Sequence, residues 1–279
     1  MNAFRKEKQY PARSTRGVGA LLLLLFSVAW AQASSAQSPY DLETKREWIL
    51  LGSGAVLGIS ALAIINSVDP LSIEEIEALD PDDINSFDRS GVQPYRDTHA
   101  GDALLYGSFL LPLTLLGPVE TREDWKTLGV MWAETVLISS GLNGVVKGLV
   151  LRTRPYVYDP QTPMEEKLAT GARLSFYSGH TSATAANCFF VAKVFNDYLE
   201  NRAAKAAIWT GAAVYPALTG YLRRDSGHHF RTDVITGYCI GALTGYFVPV
   251  LHRVRTTNKL SFYPVPVDGS VGLGMQIVF

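Results

Sequence analysis

Three short stretches bring cations, histidines and one carboxylate together at spacings that suit work on an anion. The first is Lys147-Gly-Leu-Val-Leu-Arg-Thr-Arg154-Pro155. Lys147 and Arg154 are seven residues apart, so two helical turns would set both cations on one face, with Pro155 ending the helix at Arg154. A guanidinium fork binds phosphate oxygens pairwise; two cations snorkelling at a membrane boundary would read the same way. The second stretch is Ser175-Phe-Tyr-Ser178-Gly179-His180. Ser178 suits a helix N-cap, Gly179 admits a ligand close to the backbone, and the free N–H groups of the first turn attract an anion. His180 would stand beside that anion, as a catalyst or as a plain cap-region residue.

The third stretch is Arg223-Arg-Asp-Ser-Gly-His-His229-Phe-Arg-Thr-Asp233. His229 and Asp233 are four apart, and on a helix such side chains meet. A carboxylate holding one ring nitrogen leaves the other as a nucleophile. His228 is the rival, but its partner at the same spacing is Thr232, which cannot orient an imidazole in this way. Taken singly, the third stretch is also compatible with a surface His–Asp pair. Jointly, Lys147, Arg154 and Arg223 supply the positive charge that a phosphoryl group in transfer requires.

The elements between these stretches must bring them to one place. Six segments read as apolar helices, at about 47–66, 102–118, 128–150, 180–197, 206–222 and 233–251. Successive connections then fall at alternating ends, and all three stretches lie at the same end. The polar residues inside the segments (Glu134, Asn143 and Lys147 in the third, Asn187, Lys193 and Asn196 in the fourth) are expected to face the interior of the bundle. The chain of 279 residues is 47% apolar and 18% charged, below the roughly 25% charge of an average soluble domain. Its formal net charge of −1 provides no global field for nucleic acid. Cys188 and Cys239 both lie in apolar segments and read as buried thiols rather than a disulfide framework.

Residues 1–36 carry a basic stretch, the apolar run Leu21–Val28 and the small residues Ala29–Ala36, the pattern of a signal peptide cleaved before Ser34 or Gln37, or of a retained anchor. Arg122, Lys126, Arg202, Lys205, Arg253, Arg255 and Lys259 lie in three other connections, against an acidic stretch from Asp69 to Asp97. The positive-inside rule puts those basic segments in the cytoplasm and the three reactive stretches outside. A cleaved leader followed by six spans would give the opposite orientation. Three resolutions stay open: a retained leader, one segment that does not span, or a bundle lying in the periplasm. In the tail, alternating apolar residues flank Asp268-Gly269, a hairpin signal expected to pack as an edge appendage on the helices.

The order Lys-x6-Arg-Pro, Ser-Gly-His, Arg-x5-His-x3-Asp resembles the type 2 phosphatidic acid phosphatase family, whose superfamily also holds class A acid phosphatases and vanadium haloperoxidases. The resemblance spans residues 102–251. It implies an all-α bundle and a metal-independent phosphatase that needs no cofactor and works through a phosphohistidine. Under it His229 attacks phosphorus, Asp233 orients His229, and His180 protonates the leaving oxygen and later activates water. Lys147, Arg154, Ser178, Gly179 and Arg223 cradle the phosphoryl group. The sequence departs from the family in having Tyr177 where proline is usual and Leu222 where serine is usual.

The expected organisation is a leader (1–36), a first helix with its acidic loop (37–101), the phosphatase core (102–251) and a tail (252–279). The expected activity is hydrolysis of a lipid phosphate or prenyl diphosphate at a membrane of a bacterial-type envelope. A soluble periplasmic acid phosphatase is the alternative, followed by a haloperoxidase and a non-catalytic phospholipid-binding protein. Substrate selectivity is expected in the loops 67–101 and 156–174.

Overall fold

The structure, a computed structural model, describes residues 38–254 and the backbone of strands 259–267 and 270–278. The leader expected at residues 1–36 and the turn Asp268-Gly269 lie outside the described residues.

The helices, in chain order, are α1 (Thr44–Asn66), α2 (Ile73–Glu77), α3 (Ser86–Arg89), α4 (His99–Leu110), α5 (Val119–Glu123), α6 (Trp125–Val150), α7 (Met164–Lys167), α8 (Gly179–Tyr198), α9 (Arg202–Asp225) and α10 (Arg231–Leu251). A 3₁₀ turn, Leu111–Leu116, continues α4 through Pro112. All six apolar segments expected from the sequence are helical. In the tail, β1 (Lys259–Val267) pairs antiparallel with β2 (Ser270–Val278), Lys259 opposite Val278.

The core is built around α8. Cys188, Phe190, Val191, Ala192, Val194 and Phe195 are enclosed by Leu111, Leu115, Leu128, Met131, Ile208, Ala212, Tyr215 and Val248 from the surrounding helices. Polar residues within the apolar helices turn inward, as the cost of placing them against lipid requires. Asn187 accepts from Trp132 Nε1 (2.8 Å) and donates to Ser108 Oγ (3.1 Å). Lys193 is buried against Asp197, which also accepts from Tyr40 Oη at 2.8 Å. Cys188 is buried as expected, but Cys239 is exposed. Gly237 and Gly241 turn the inner side of α10 toward α8, and Cys239, two residues past Gly237, comes out on the opposite side.

Two glycine stripes set how closely the helices approach. On α6, a Cβ at Gly144 would fall 2.6 Å from Ala61 Cβ, and one at Gly148 would fall 2.3 Å from Ile64 Cγ2. On α10, Cβ atoms at Gly237, Gly241 and Gly245 would lie 2.5, 2.0 and 2.2 Å from the carbonyl oxygens of Ser178, Ser182 and Ala186. Small residues at such spacing let helix backbones touch. The second stripe has a chemical consequence, because it presses the first turn of α10 against the first turn of α8.

Among the described residues, three helices are long and apolar enough to cross a membrane: α1, α6 and α10. Their outward faces leave large apolar side chains exposed, including Trp48, Ile59 and Leu62 on α1, Leu149 on α6, and Ile235, Leu243 and Phe247 on α10. An apolar exterior of this kind belongs in lipid. The contacts Gly54–Leu137, Leu57–Gly141 and Ile64–Gly148 show α1 and α6 running parallel. The long helices therefore alternate in direction, and the basic segments 119–127 and 198–205 fall at the end opposite the three reactive stretches.

Candidate active site

At the reactive end, α6 stops at Val150 and not at Arg154, because Leu151 adopts a left-handed conformation (φ 49°) and caps the helix through its N–H to the Lys147 carbonyl. Arg152–Arg154 then run extended. The Arg154 N–H donates to the Ala172 carbonyl (2.8 Å), and the Ser175 N–H donates to the Arg152 carbonyl (2.9 Å). Arg154 thus reaches the site from an extended segment and not from two further turns of helix. Proline at 155 is compatible with both, since the residue before a proline favours extended backbone.

Ser178 caps α8 as expected. Its hydroxyl lies 2.9 Å from Thr181 Oγ1 and accepts the Thr181 N–H. Its own N–H donates to the Asp233 carbonyl at 3.0 Å, stitching the starts of α8 and α10 together. A side chain at Gly179 would strike Asn143 Oδ1 at 2.7 Å and stand 3.6 Å from Lys147 Nζ, so the lysine lies directly beside this helix start. Asn143 donates to the carbonyl of Tyr177 (2.8 Å), whose ring is fully buried. The turn presenting Ser178 is therefore held by packing and this amide where proline is absent.

His229 and Asp233 do meet, though not along a helix. His229 precedes α10, and Gly227 (φ +75°) turns the chain ahead of it in a conformation that suits glycine. Asp233, in the first turn, bends back so that Oδ2 accepts the Phe230 N–H (2.9 Å) and the Ser175 hydroxyl (2.5 Å). His229 Nδ1 lies 3.6 Å from that same oxygen, with no hydrogen-bond partner among the described residues. The pair is in contact but longer than a hydrogen bond. Both side chains are buried, at 1% and 0% exposure.

Charge surrounds the imidazole. Burial first, then Arg154, Lys147 and Arg223, pushes His229 well below its ordinary pKa. Its neutral form, the one that can act as a nucleophile, is thereby favoured. The three cations expected from the sequence thus all act on this residue.

His180 Nε2 lies 2.8 Å from Asp102 Oδ1 on α4. Burial and Arg223 push it down to about 4, against the pull of Asp102. Arg223 donates to Thr98 Oγ1 (2.6 Å) and comes within 3.5 Å of the same Asp102 oxygen. His228 is held by different partners from those of His229. Its Nδ1 lies 2.8 Å from Ser226 Oγ, its ring packs against Tyr95 and Tyr156, and burial with Arg223 and Arg154 pushes it to about 3.

Four residues that sequence reasoning passed over belong to this constellation. Arg152 donates to Asp233 Oδ1 (2.6 Å), Thr232 Oγ1 (2.7 Å) and Asp88 Oδ2 (2.8 Å), and stacks 4.2 Å from the Phe230 ring. Asp88, from the acidic loop, is fully buried and also accepts the Thr232 N–H and hydroxyl. Ser175 and Asp102 complete the set. Reading 152–154 as helix hid Arg152; as an extended segment, alternate residues Arg152 and Arg154 share a side. The loops also pack on each other at this end, where Leu71, Ile76, Tyr156, Val157 and Ala172 form a second small core.

Residues 129–257 match the PAP2 superfamily. A lipid A 4'-phosphatase of Porphyromonas gingivalis is 35% identical over 78 residues, 28% of this chain and 30% of that protein. The chain thus spans less than a third of that curated relative's length. The crystal structure of a phosphatidylglycerolphosphate phosphatase of Bacillus subtilis, described as the first transmembrane PAP2 type, aligns over 84% of this chain and 94% of that one at 20% identity, with a TM-score of 0.41. Every residue of the three stretches, from Lys147 to Asp233, falls inside the region that matches the PAP2 superfamily.

Proposed function

We propose that the chain is a phosphatase that hydrolyses a lipid phosphate or prenyl diphosphate through a phosphoryl group carried on His229. The observation that carries this reading is a buried imidazole whose protonation is disfavoured by burial and by Arg154, Lys147 and Arg223, with one nitrogen turned to Asp233. His229 Nε2 attacks phosphorus, the bond from phosphorus to the leaving oxygen breaks, and His180 gives that oxygen a proton. Water then attacks the phosphohistidine, the P–N bond breaks, and His180 takes the proton from the water. Lys147, Arg154 and Arg223, with the N–H groups at the start of α8, hold the equatorial oxygens. The bound anion offsets the cations that depress His180 and competes with Asp102 for its Nε2 proton. The residues named supply each of these steps without a metal ion.

A cleft of about 330 Å³ supports a lipid-like substrate. It runs from Lys147, Gly179 and His180 along α4, α6 and α8, past Leu105, Phe109 and Ala183. An acyl or prenyl chain fits this apolar side and a phosphate fits its cationic end. The exposed apolar faces of α1, α6 and α10 support work at a membrane. The basic segments at the far end support an orientation with the reactive end outside. In that orientation the start of α1 is cytoplasmic, which favours a retained leader.

The test is a panel of phosphatidic acid, prenyl diphosphates and a small soluble phosphomonoester on detergent-purified protein, wild type against His229→Ala. Turnover of the lipid substrates that vanishes in the variant is the expected result. Turnover of the soluble ester alone would favour the acid phosphatase, and unchanged turnover in the variant would remove the proposed nucleophile.

A further inference from the structure

Thirteen residues before Lys147 on α6, about 20 Å away along the axis, a second polar group is buried where the phosphoryl chemistry does not reach. Glu134 is fully enclosed, at 0% exposure, and neither carboxylate oxygen has a hydrogen-bond partner among the described residues. An enclosed carboxylate in that state is costly. Its Oε2 faces His252 Nε2, at the end of α10, across 3.1 Å, and Glu47 Oε2 from α1 faces the same nitrogen at 3.0 Å.

The other atoms of these side chains are already committed. His252 Nδ1 lies 2.8 Å from the Val248 carbonyl, which assigns it the proton and leaves Nε2 as the nitrogen facing the carboxylates. Glu47 Oε1 accepts the Glu43 N–H (2.8 Å) and Arg46 Nη2 (2.9 Å), leaving Oε2 for the cluster. With Arg46 offsetting Glu47, a neutral imidazole leaves one uncompensated negative charge at Glu134. A second proton, on Nε2, would give a single donor, which cannot serve both carboxylates fully.

From this geometry we infer that Glu47, Glu134 and His252 form a binding site for a divalent first-row metal ion such as Zn²⁺. One imidazole nitrogen and two carboxylate oxygens are a donor set such ions accept. Bonds of about 2.0–2.2 Å in a tetrahedral set give donor–donor separations of about 3.3–3.6 Å, so the observed 3.0 and 3.1 Å would open by a few tenths of an ångström on binding. The donors come from three different helices, the same α1, α6 and α10 that meet lipid, so the ion ties the membrane-facing helices together at the end opposite the reactive one. Its role is structural and independent of phosphoryl transfer.

The experiment uses full-length, tag-free protein in detergent, stripped with a chelator and titrated with Zn²⁺. Wild type is expected to retain one equivalent and to show a raised Tm. Glu134→Gln and Glu47→Gln are expected to bind at least tenfold more weakly, with no comparable rise. Cobalt loading of the wild type, read by its visible absorption, reports the geometry of the site even if a variant folds poorly. Wild type that takes up no metal, or equal uptake in all three proteins, would overturn the site and leave an imidazolium shared by two carboxylates.

Discussion

Arg152 Nη1 lies 2.6 Å from Asp233 Oδ1, whereas His229 Nδ1 lies 3.6 Å from Asp233 Oδ2. The carboxylate is thus fixed by an arginine at an unassigned position of the first stretch before it meets the histidine. Its four contacts, from Arg152, Ser175, the Phe230 N–H and His229, make it the point where α10 and the extended segment are joined.

Replacing Arg152 should therefore act through Asp233. Arg152→Ala leaves two buried carboxylates, Asp88 and Asp233, without their shared cation. Breaking a buried pair in this way costs roughly 3 kcal/mol or more. The expected outcome is a large fall in kcat with KM little changed, together with a lower Tm. Asp88→Asn should have the same sign and a smaller size. A fall confined to KM would place Arg152 on the substrate instead.

His229 should carry the phosphoryl group. Rapid acid-free quenching of wild type with ³²P-labelled substrate is expected to trap an adduct that is stable to base and labile to acid. His229→Ala should show no adduct and lose roughly 10³-fold or more in turnover. His180→Ala should slow both formation and hydrolysis of the adduct, because the leaving oxygen then lacks its acid and water its base.

The helices were legible from their apolar runs and bounding glycines and prolines, and the common end of the three stretches followed from alternating connections. The local geometry was not. Arg154 was expected on a helix, but the backbone hydrogen bonds that extend 152–154 come from Ala172 and Ser175, about twenty residues away. His229 was expected one turn before Asp233 on a helix, but Asp233 spends its inner oxygen on the Phe230 N–H. Arg152, Asp88 and the Glu47–Glu134–His252 group acquire meaning only through tertiary contacts, and no spacing in the chain announces them.

Acid should destabilise the fold through its buried histidines. His228 sits at about 3 and His180 at about 4, both below the ordinary 6.5. Between pH 6.5 and those values the unfolded chain binds protons that the native chain refuses, so stability falls as pH falls. Their contribution is complete above pH 6.5 and is lost progressively toward pH 3. Thermal melts across this range should show a steep acid limb, flattened in His228→Asn. Equal slopes for both proteins would assign the limb to other groups.

The contact between α8 and α10 should tolerate no methyl group. Gly241→Ala places a Cβ 2.0 Å from the Ser182 carbonyl oxygen, and overpacking of this kind costs about 1–3 kcal/mol. Activity should fall with stability, since Ser178 and Asp233 are stitched across the same contact. Gly52→Ala on α1 meets nothing within 4 Å and should be neutral or stabilising by about 0.5–1 kcal/mol, as expected for a helical glycine. Chemical denaturation of both variants in one detergent gives the comparison.

At the far end of the molecule, Tyr40 pairs with Arg253 as an antiparallel bridge, the Asp41 N–H donates to the His252 carbonyl at 3.0 Å, and the Val254 N–H donates to that of Pro39, also at 3.0 Å. The polypeptide that enters α1 and the polypeptide that leaves α10 are thereby neighbours in space. Topologically the bundle is a ring that happens to be cut at this seam. Closing a loop over so short a gap costs little chain entropy, so a short linker could rejoin residues 39 and 254 and the ring could be reopened elsewhere. The exposed turn at Asp159–Gln161 is the natural place: a chain permuted there keeps every contact of the bundle and divides the three reactive stretches between its two ends.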